Sequence, residues 1–478
     1  MKKFSLIFMT VFTMVMMMFG SFSPVVFAEG DPTMMDLIKE SGYHVVESDK
    51  PKSAVLIDAN TGKLLWSENP DQAHNPASIM KLMTIYLTYE AMAQGKFDLD
   101  TKIKATPRHA QMANIYEISN NKITADVEYP VRDLIPMALV PSSNVATMML
   151  AELVEPNAVT FLKMMNDKAQ ELGMTNTKIV NATGAEISAF QGLYAQEGVD
   201  TSSLSVTGSN VTTARDFSIF TYNLLKNYPQ ILEYTSTPKV TTMKGTPYEE
   251  TFTTYNYSVP GSEPDERDPN VNYYYEGVDG LKTGSSPSGA FNIDMTAKRD
   301  DLRLIAIVFG VGDWADQTGE FKRHPFANAM LDYGFKNFEV KEVLPAGEHE
   351  IDGKKIITKE PFVDVIKKGE TPTFMLTDKN MVQVKPVIPR VSEKIPPVEV
   401  TYDEEQKNAI EKIVSDDTGK FLDTIDLSNP ITKWMLIIVG TILFIILLLI
   451  IFLVRDNRRR KKARQKRMSS QKDITNND

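Results

Sequence analysis

The pattern of apolar and polar positions divides the first two thirds of the chain into strands, then helices, then strands again. The run Ser53–Asp58 has strand character, and Asn60-Thr61-Gly62 turns it back into Leu64–Trp66 as a hairpin. Apolar positions at helical spacing predict helices at about Ser78–Gln94, Val131–Val140, Val145–Val154, Thr160–Leu172 and Val211–Lys226. Strand patterns return at Tyr273–Val278, Phe291–Lys298 and Leu302–Phe309. This order predicts an α+β fold, in which both ends of the domain build one antiparallel sheet and the helices pack on it.

The chain after residue 340 consists of short extended runs separated by prolines. These runs are Glu348–Ile357, Thr373–Leu376, Met381–Val387 and Val398–Val400. We therefore predict a main domain over residues 29–339, a small β-rich domain over residues 340–402 and a charged linker over residues 403–433.

Both ends of the chain carry a long apolar segment. The first follows Lys2-Lys3 and ends in Val26-Phe27-Ala28, which predicts a secretory signal peptide over residues 1–28. An uncleaved anchor is the alternative, but Gly20 and Pro24 interrupt the segment and favour cleavage. The second, Trp434–Val454, has 21 uncharged residues, and as a helix of about 32 Å it would cross a bilayer.

The tail over residues 455–478 contains 10 basic and 3 acidic residues. Positive charge next to a membrane span marks its cytoplasmic side and is attracted to anionic lipid. We therefore expect a single-pass membrane protein with an extracellular main domain and a cytoplasmic C-terminus.

Composition restricts the chemistry. The 478 residues include no cysteine, which excludes disulfides, thiolate metal sites and cysteine nucleophiles. The five histidines have no metal-ligand spacing, so we predict neither a metal nor a cofactor. The formal charge is −10 in spite of the basic tail, so the region outside the membrane is strongly acidic and binding of nucleic acid is not expected.

The strongest candidate for chemistry is the segment Asn75–Lys81, which begins a predicted helix. Ser78 and Lys81 are three residues apart, so the lysine amine can reach the serine hydroxyl and act as its base. The backbone N–H of Ser78, at the helix start, could also stabilise an oxyanion. Other copies of this spacing, at Ser119 and Ser469, lack that context.

Two further segments complete the candidate site. Lys282-Thr283-Gly284 occurs once in the chain and has strand character, so Lys282 and Thr283 could bind a carboxylate while Gly284 allows close approach. The charge of Lys282 would lower the pKa of Lys81, and the backbone N–H of Ser285 would be a second oxyanion donor. Ser142 and Asn144 lie between two predicted helices, where Ser142 could relay a proton and Asn144 could hold a substrate amide.

These three motifs, in this order, resemble those of the low-molecular-mass penicillin-binding proteins, the D-alanyl-D-alanine carboxypeptidases. The chain looks most like the membrane-anchored form of Gram-positive cocci. Leu172-Gly173-Met174, Asn181–Gly184 and Thr213–Asp216 are also similar to family segments.

The resemblance implies a penicillin-recognising, β-lactamase-like fold, and stem peptides of peptidoglycan ending in D-Ala-D-Ala as substrates. It further implies an acyl-enzyme on Ser78 with Lys81 as base, and covalent inhibition by β-lactam antibiotics. One departure is Ser285, where many relatives carry histidine. Tyr116 and Glu117, between the first two motifs, could line the cleft or form a solvated loop.

Two alternative functions share this acylation chemistry. A class A β-lactamase would carry a Glu-x-x-Leu-Asn loop, and none occurs between Ser142 and Lys282. A β-lactam-sensing receptor would need a cytoplasmic effector, whereas only 24 residues follow the predicted span.

The predicted topology can be tested by treating intact cells with a protease. We expect the protease to remove the region from Glu29 to Lys433 and to leave the basic tail protected by the membrane. Permeabilised cells are the control, in which the tail is digested as well. Digestion of the tail in intact cells would reverse the orientation.

Overall fold

The structure is a computed structural model that describes residues 31–262 and 272–404, together with Thr441 and Phe444. The predicted signal peptide, nearly all of the predicted linker, the predicted transmembrane segment apart from these two residues, and the basic tail therefore lie outside the described residues. Within the described part of the chain, no single helix is long and apolar enough to cross a bilayer. The helices Asn144–Val154 and Ala158–Leu172 reach that length and apolarity only together, and they are bent by 87°.

The strands begin with a hairpin and return after the helical region. Their bounds are β1 Ser53–Asp58, β2 Leu64–Glu68, β3 Lys102–Lys104, β4 Glu128–Pro130, β5 Lys239–Thr242, β6 Glu250–Thr253, β7 Val278–Ser286, β8 Ala290–Arg299, β9 Leu302–Val311, β10 Phe338–Leu344, β11 Gly347–Ile351, β12 Lys354–Thr358, β13 Phe362–Lys367, β14 Thr373–Leu376, β15 Met381–Lys385 and β16 Val400–Glu404. The main sheet has the order β2-β1-β9-β8-β7, and its neighbouring strands are antiparallel. Both ends of the main domain thus contribute to one sheet, as predicted.

The α-helices lie mainly between the two groups of strands. Their bounds are α1 Met34–Ser41, α2 Lys81–Ala93, α3 Pro107–Ala113, α4 Val131–Leu139, α5 Asn144–Val154, α6 Ala158–Leu172, α7 Ala214–Asn227, α8 Leu232–Thr235 and α9 Gly319–Asn337. The predicted helices of the middle region are confirmed, with ends that shift by a few residues. The α+β fold class is therefore confirmed.

The main sheet is buried on both faces. Val55 and Ile307 point to the face that packs on the helical region, while Leu56 and Val308 point to the face that packs on α1 and α9. This explains why β1 is apolar at successive positions and does not alternate. Helix α2 lies inside the helical region with most of its residues buried, so its first residues are held firmly.

One predicted strand is wrong. The pattern predicts an extended run over residues 273–278, but the strand begins only at Val278 and continues to Ser286. The aromatic residues before it pack on α9 instead of joining a sheet. The Tyr273 ring stacks on Phe321 with centroids 6.2 Å apart, and the Tyr275 hydroxyl donates a 2.9 Å hydrogen bond to Asp332. Aromatic enrichment here reflects packing of a loop.

The C-terminal strands form a β-rich region with a small apolar cluster of its own, and its β-rich character is as predicted. Its five-stranded sheet has the order β11-β12-β16-β15-β14, and β10 pairs with β13 next to it. The region is joined to the β1–β2 turn by a buried ion pair, in which Lys63 Nζ lies 2.5 Å from Asp364 Oδ2. The Leu64 N–H also donates to the Pro389 carbonyl at 2.7 Å, so the junction includes backbone bonds.

Candidate active site

Ser78 lies in a short 3₁₀ turn, Ala77–Met80, immediately before α2. The predicted helix over this region therefore begins three residues later than expected, at Lys81. Residues three apart eclipse each other in a 3₁₀ turn, so the turn aligns Ser78 with Lys81. Ala77 begins the turn with a φ of +49°, and its N–H donates to Asn75 Oδ1 at 2.9 Å.

Lys81 is fully buried and directed at Ser78. Its Nζ lies 2.8 Å from Ser78 Oγ and donates a 2.9 Å hydrogen bond to the Thr183 carbonyl. Burial, and then the charge of Lys282, hold the pKa of Lys81 well below its ordinary value. The neutral amine is thus favoured, and a neutral amine can accept the proton of the Ser78 hydroxyl.

Glycines allow two other segments to contact the Ser78 turn. A Cβ on Gly284 of β7 would lie 2.5 Å from the Pro76 carbonyl oxygen, and one on Gly184 would lie 2.0 Å from that of Ala77. Gly184 also has a φ of +90°, which favours glycine. The turn is therefore enclosed between a strand and a loop that approach it at backbone distance.

The Ser142 motif lies between α4 and α5, where the chain reverses. Ser142 has a φ of +62°, and its buried Oγ has no hydrogen-bond partner among the described residues. Asn144 donates from both its N–H and its Nδ2 to the Ser119 carbonyl at 2.8 Å, which leaves its Oδ1 unpaired in the described structure. Other buried polar atoms of the described structure also lack a partner, so it is the position of these two oxygens in the predicted motif that makes them candidates for hydrogen bonds to a bound molecule.

The Lys282 motif lies on β7, beside the Ser78 turn. Lys282 is buried and donates a 3.0 Å hydrogen bond to the Thr283 carbonyl. Burial, and then the charge of Arg323, lower the pKa of Lys282 to about 7. The structure thus brings Ser78, Lys81 and the Lys282 motif together.

Arg323 is a residue that the sequence analysis missed. It is buried on α9, and its Nη1 donates to Ser285 Oγ at 3.0 Å. Burial lowers the pKa of Arg323 to about 10, so the guanidinium stays charged at neutral pH. The available signal was an arginine on the buried face of a helix, between Phe321 and Phe326, because charged residues are seldom buried without a function or a partner.

The segment Thr213–Asp216 fixes two loops at the start of α7. Arg215 forms an ion pair with Asp71 before the Ser78 turn, at 2.6 Å. Asp216 accepts hydrogen bonds from the Asn176 N–H at 2.7 Å and from Thr177 Oγ1 at 2.8 Å. The similarity of Thr213–Asp216 to a family segment therefore has a structural reason, because this segment holds two loops in place.

Tyr116 and Glu117 lie on the surface. The Tyr116 side chain is 96% exposed, and Glu117 accepts one long hydrogen bond of 3.4 Å from Gln191.

Comparison with known proteins identifies the family of the chain. A family model described as D-alanyl-D-alanine carboxypeptidase matches residues 44–313, and a domain of unknown function matches residues 340–403. The chain is 28% identical to the carboxypeptidase DacF of Bacillus subtilis, over 70% of this chain and 77% of that protein. It is also 28% identical to DacA of Haemophilus influenzae, over 62% of this chain and 64% of that protein, which is just under two thirds of its length.

Solved structures of penicillin-binding proteins have a similar fold. A peptidoglycan synthesis regulatory factor (PBP3) of Streptococcus pneumoniae is 25% identical, with a TM-score of 0.60 over 74% of this chain and 99% of that one. Penicillin binding protein 5 of Haemophilus influenzae is 22% identical, with a TM-score of 0.52 over 76% of this chain and 97% of that one. The second similarity concerns the fold only.

The contact between Gly184 and the Ser78 turn leads to a prediction. In Gly184→Ala the new Cβ must displace the Ala77 carbonyl, and we expect penicillin labelling of the chain to slow roughly a hundredfold because the nucleophile moves. Gly192→Ala is the matched control, since Gly192 has a similar φ of +86° but its new Cβ would meet no atom within 4 Å. Labelling rates and thermal unfolding would be measured for both variants. Equal labelling rates would show that the contact does not position Ser78.

Proposed function

The chain belongs to the D-alanyl-D-alanine carboxypeptidase family, and on that premise we propose that it removes the terminal D-alanine from peptidoglycan stem peptides. It is a serine-type enzyme whose reaction proceeds through an acyl-enzyme on Ser78. The observation that carries this assignment is the 2.8 Å contact between the Ser78 hydroxyl and the buried Lys81 amine.

In the acylation step, Ser78 Oγ attacks the carbonyl carbon of the penultimate D-alanine while Lys81 accepts its proton. The negative charge that develops on the carbonyl oxygen is stabilised by the backbone N–H groups of Ser78 and Ser285. The C–N bond then breaks, and the proton reaches the departing amine through the Ser142 hydroxyl. D-alanine leaves, and the rest of the peptide stays bound to Ser78 as an ester.

In the second step, a nucleophile attacks the ester and Ser78 regains its proton. Water gives the carboxypeptidase product, a peptide shortened by one residue. An amine of a second stem peptide would give a cross-link, so the same intermediate supports transpeptidation. A β-lactam would acylate Ser78 through the same first step.

We assign recognition of the terminal carboxylate to Lys282 and Thr283. Arg323 lies next to them and donates a hydrogen bond to Ser285 of the same strand. The support for this role is the position of these groups on β7 and α9, next to the Ser78 turn. Asn144 is assigned to the substrate amide, because its Oδ1 is buried and has no partner in the described structure.

We further propose that the enzyme acts outside the cell and is held by one membrane span. This proposal rests on the signal-peptide pattern of residues 1–28, the apolar segment Trp434–Val454 and the basic tail. Stem peptides lie outside the cytoplasmic membrane, so this location would place the enzyme beside its substrate.

The function is tested by incubating the full chain in detergent with a stem peptide that ends in D-Ala-D-Ala, with and without an amine acceptor. Mass spectrometry should detect a peptide shortened by one alanine, and a peptide–amine adduct would reveal transpeptidation. Penicillin should increase the mass of the protein by one inhibitor molecule, which peptide mapping should place on Ser78. A label on another serine would refute the assignment of the nucleophile, and rapid turnover of penicillin with no cleavage of the peptide would favour a β-lactamase.

Lys282 is expected to select substrates mainly by binding the terminal carboxylate. A charge-assisted hydrogen bond in a buried site contributes on the order of 1.5–3 kcal/mol, so Lys282→Ala should slow acylation by roughly 10- to 150-fold. The matched comparison uses a peptide whose terminal carboxylate is amidated, for which the same variant should lose far less. An equal loss on both peptides would mean that Lys282 acts through its field on Lys81.

A further inference from the structure

Residues 180–184 form the wall of the site opposite β7. The Thr183 carbonyl accepts the 2.9 Å hydrogen bond from Lys81, and the Ala182 carbonyl accepts one of 2.8 Å from Thr84 Oγ1, one turn further along α2. Gly184 contacts the Ser78 turn at backbone distance. The segment therefore touches both the nucleophile and its base through main-chain atoms.

The conformation of this wall is set by two buried amides. Asn210 Oδ1 accepts from the N–H groups of Val180 at 2.8 Å and of Asn181 at 3.0 Å, and Asn210 Nδ2 donates to the Asn181 carbonyl and to Asn181 Oδ1, both at 3.0 Å. Asn181 Oδ1 in turn accepts from the Gly184 N–H at 2.7 Å. Asn181 and Asn210 are both 0% exposed. The two amides thus form a hydrogen-bonded ring with the backbone of residues 180, 181 and 184, on both sides of the residue whose carbonyl bonds Lys81.

The tyrosine behind the wall supports the same segment. Tyr194 Oη accepts the Ala182 N–H at 2.9 Å, and burial raises the pKa of Tyr194, so it is neutral there. The charge that acts on Lys81 comes from the opposite side, from Lys282 on β7, with Arg323 of α9 beyond it. The wall itself presents Lys81 with uncharged atoms.

We propose that Asn181 and Asn210 are positioning residues for the base, holding the Thr183 carbonyl on the Lys81 amine and keeping water away from it. The inference rests on the proposed function, because it assigns a task only if Lys81 removes the Ser78 proton. Neither amide touches Ser78 or Lys81 directly, so their effect passes through the backbone of residues 181–184.

The physical consequence concerns solvation. Burial is the largest cause of the lowered pKa of Lys81, and the wall supplies part of that burial. If the ring opens, water can reach the amine and its pKa rises towards the ordinary value. The acid limb of the acylation profile, where activity falls as Lys81 is protonated, should then move to higher pH.

The experiment measures penicillin acylation of the full chain against pH, comparing Asn210→Ala with Asn166→Ala. Asn166 is the matched control, because its side chain makes two bonds to the backbone of Ile179, at the stem of the same loop, without touching residues 180–184. We expect Asn210→Ala to move the midpoint of the acid limb to higher pH and to slow acylation about tenfold for each unit by which the pKa of Lys81 exceeds the pH of the measurement, with recovery at alkaline pH. Its non-covalent affinity for penicillin should stay unchanged, and Asn166→Ala should keep the wild-type profile.

Other outcomes have distinct meanings. Absence of acylation of Ser78 in the wild-type chain would refute the proposed function itself. A normal wild-type chain with an unshifted profile in Asn210→Ala would overturn the positioning role, as would an equal shift in Asn166→Ala. Intact-mass titration gives the fraction of each protein that can be acylated. If Asn210→Ala is largely unfolded, the milder Asn210→Ser tests the positioning role instead, and its profile is expected to shift in the same direction.

Discussion

The burial of one amine, that of Lys81, is the constraint on which the rest of the site depends. A lysine enclosed by protein is destabilised in its charged form, so burial selects the neutral base that serine catalysis needs. Keeping that amine away from water requires atoms on every side of it. The helical region supplies α2 and the carbonyl of Thr183, and the main sheet supplies the strand that carries Lys282. The packing that forms the fold thus also creates the environment that we propose activates Ser78.

The three motifs converge because backbones approach each other more closely than side chains would allow. Gly284 and Gly184 allow a strand and a loop to contact the Ser78 turn at backbone distance. Arg215 of α7 holds the loop before that turn through its ion pair with Asp71. A serine held in this way loses little further conformational freedom when it attacks, which is the advantage of a preorganised site. Rigid walls on both sides also explain why the turn can keep Ala77 in a left-handed conformation.

Most helices and strands were predicted correctly from the sequence, because the local pattern of apolar residues determines them. Helices such as Val131–Leu139 and strands such as Leu302–Val311 follow from apolar periodicity, and the motif residues follow from spacing and order. Prediction failed where contacts with residues distant in the sequence determine the local structure. The aromatic run at Tyr273 packs on α9 and does not form a strand, and the first residues of the helix predicted from Ser78 form a 3₁₀ turn before α2. Arg323 and Asn210 lie far along the chain from the groups they contact, so no local pattern indicated which groups they contact, although the apolar neighbours of Arg323 indicated its burial.

The cations of the site disfavour one another's charged forms, and on the proposed function this repulsion would link substrate binding to catalysis. Burial lowers the pKa of both lysines most, and the charge of Arg323 then lowers that of Lys282 further, as the charge of Lys282 does for Lys81. With a pKa of about 7, Lys282 is only partly charged at neutral pH. A carboxylate bound beside it would raise that pKa and hold the proton on Lys282. On the proposed assignment, the substrate carboxylate would stabilise the charge on the lysine that binds it, and the fully charged Lys282 would continue to favour a neutral Lys81. A ligand without a carboxylate would leave Lys282 partly neutral, so selection of the substrate and activation of the base depend on the same proton.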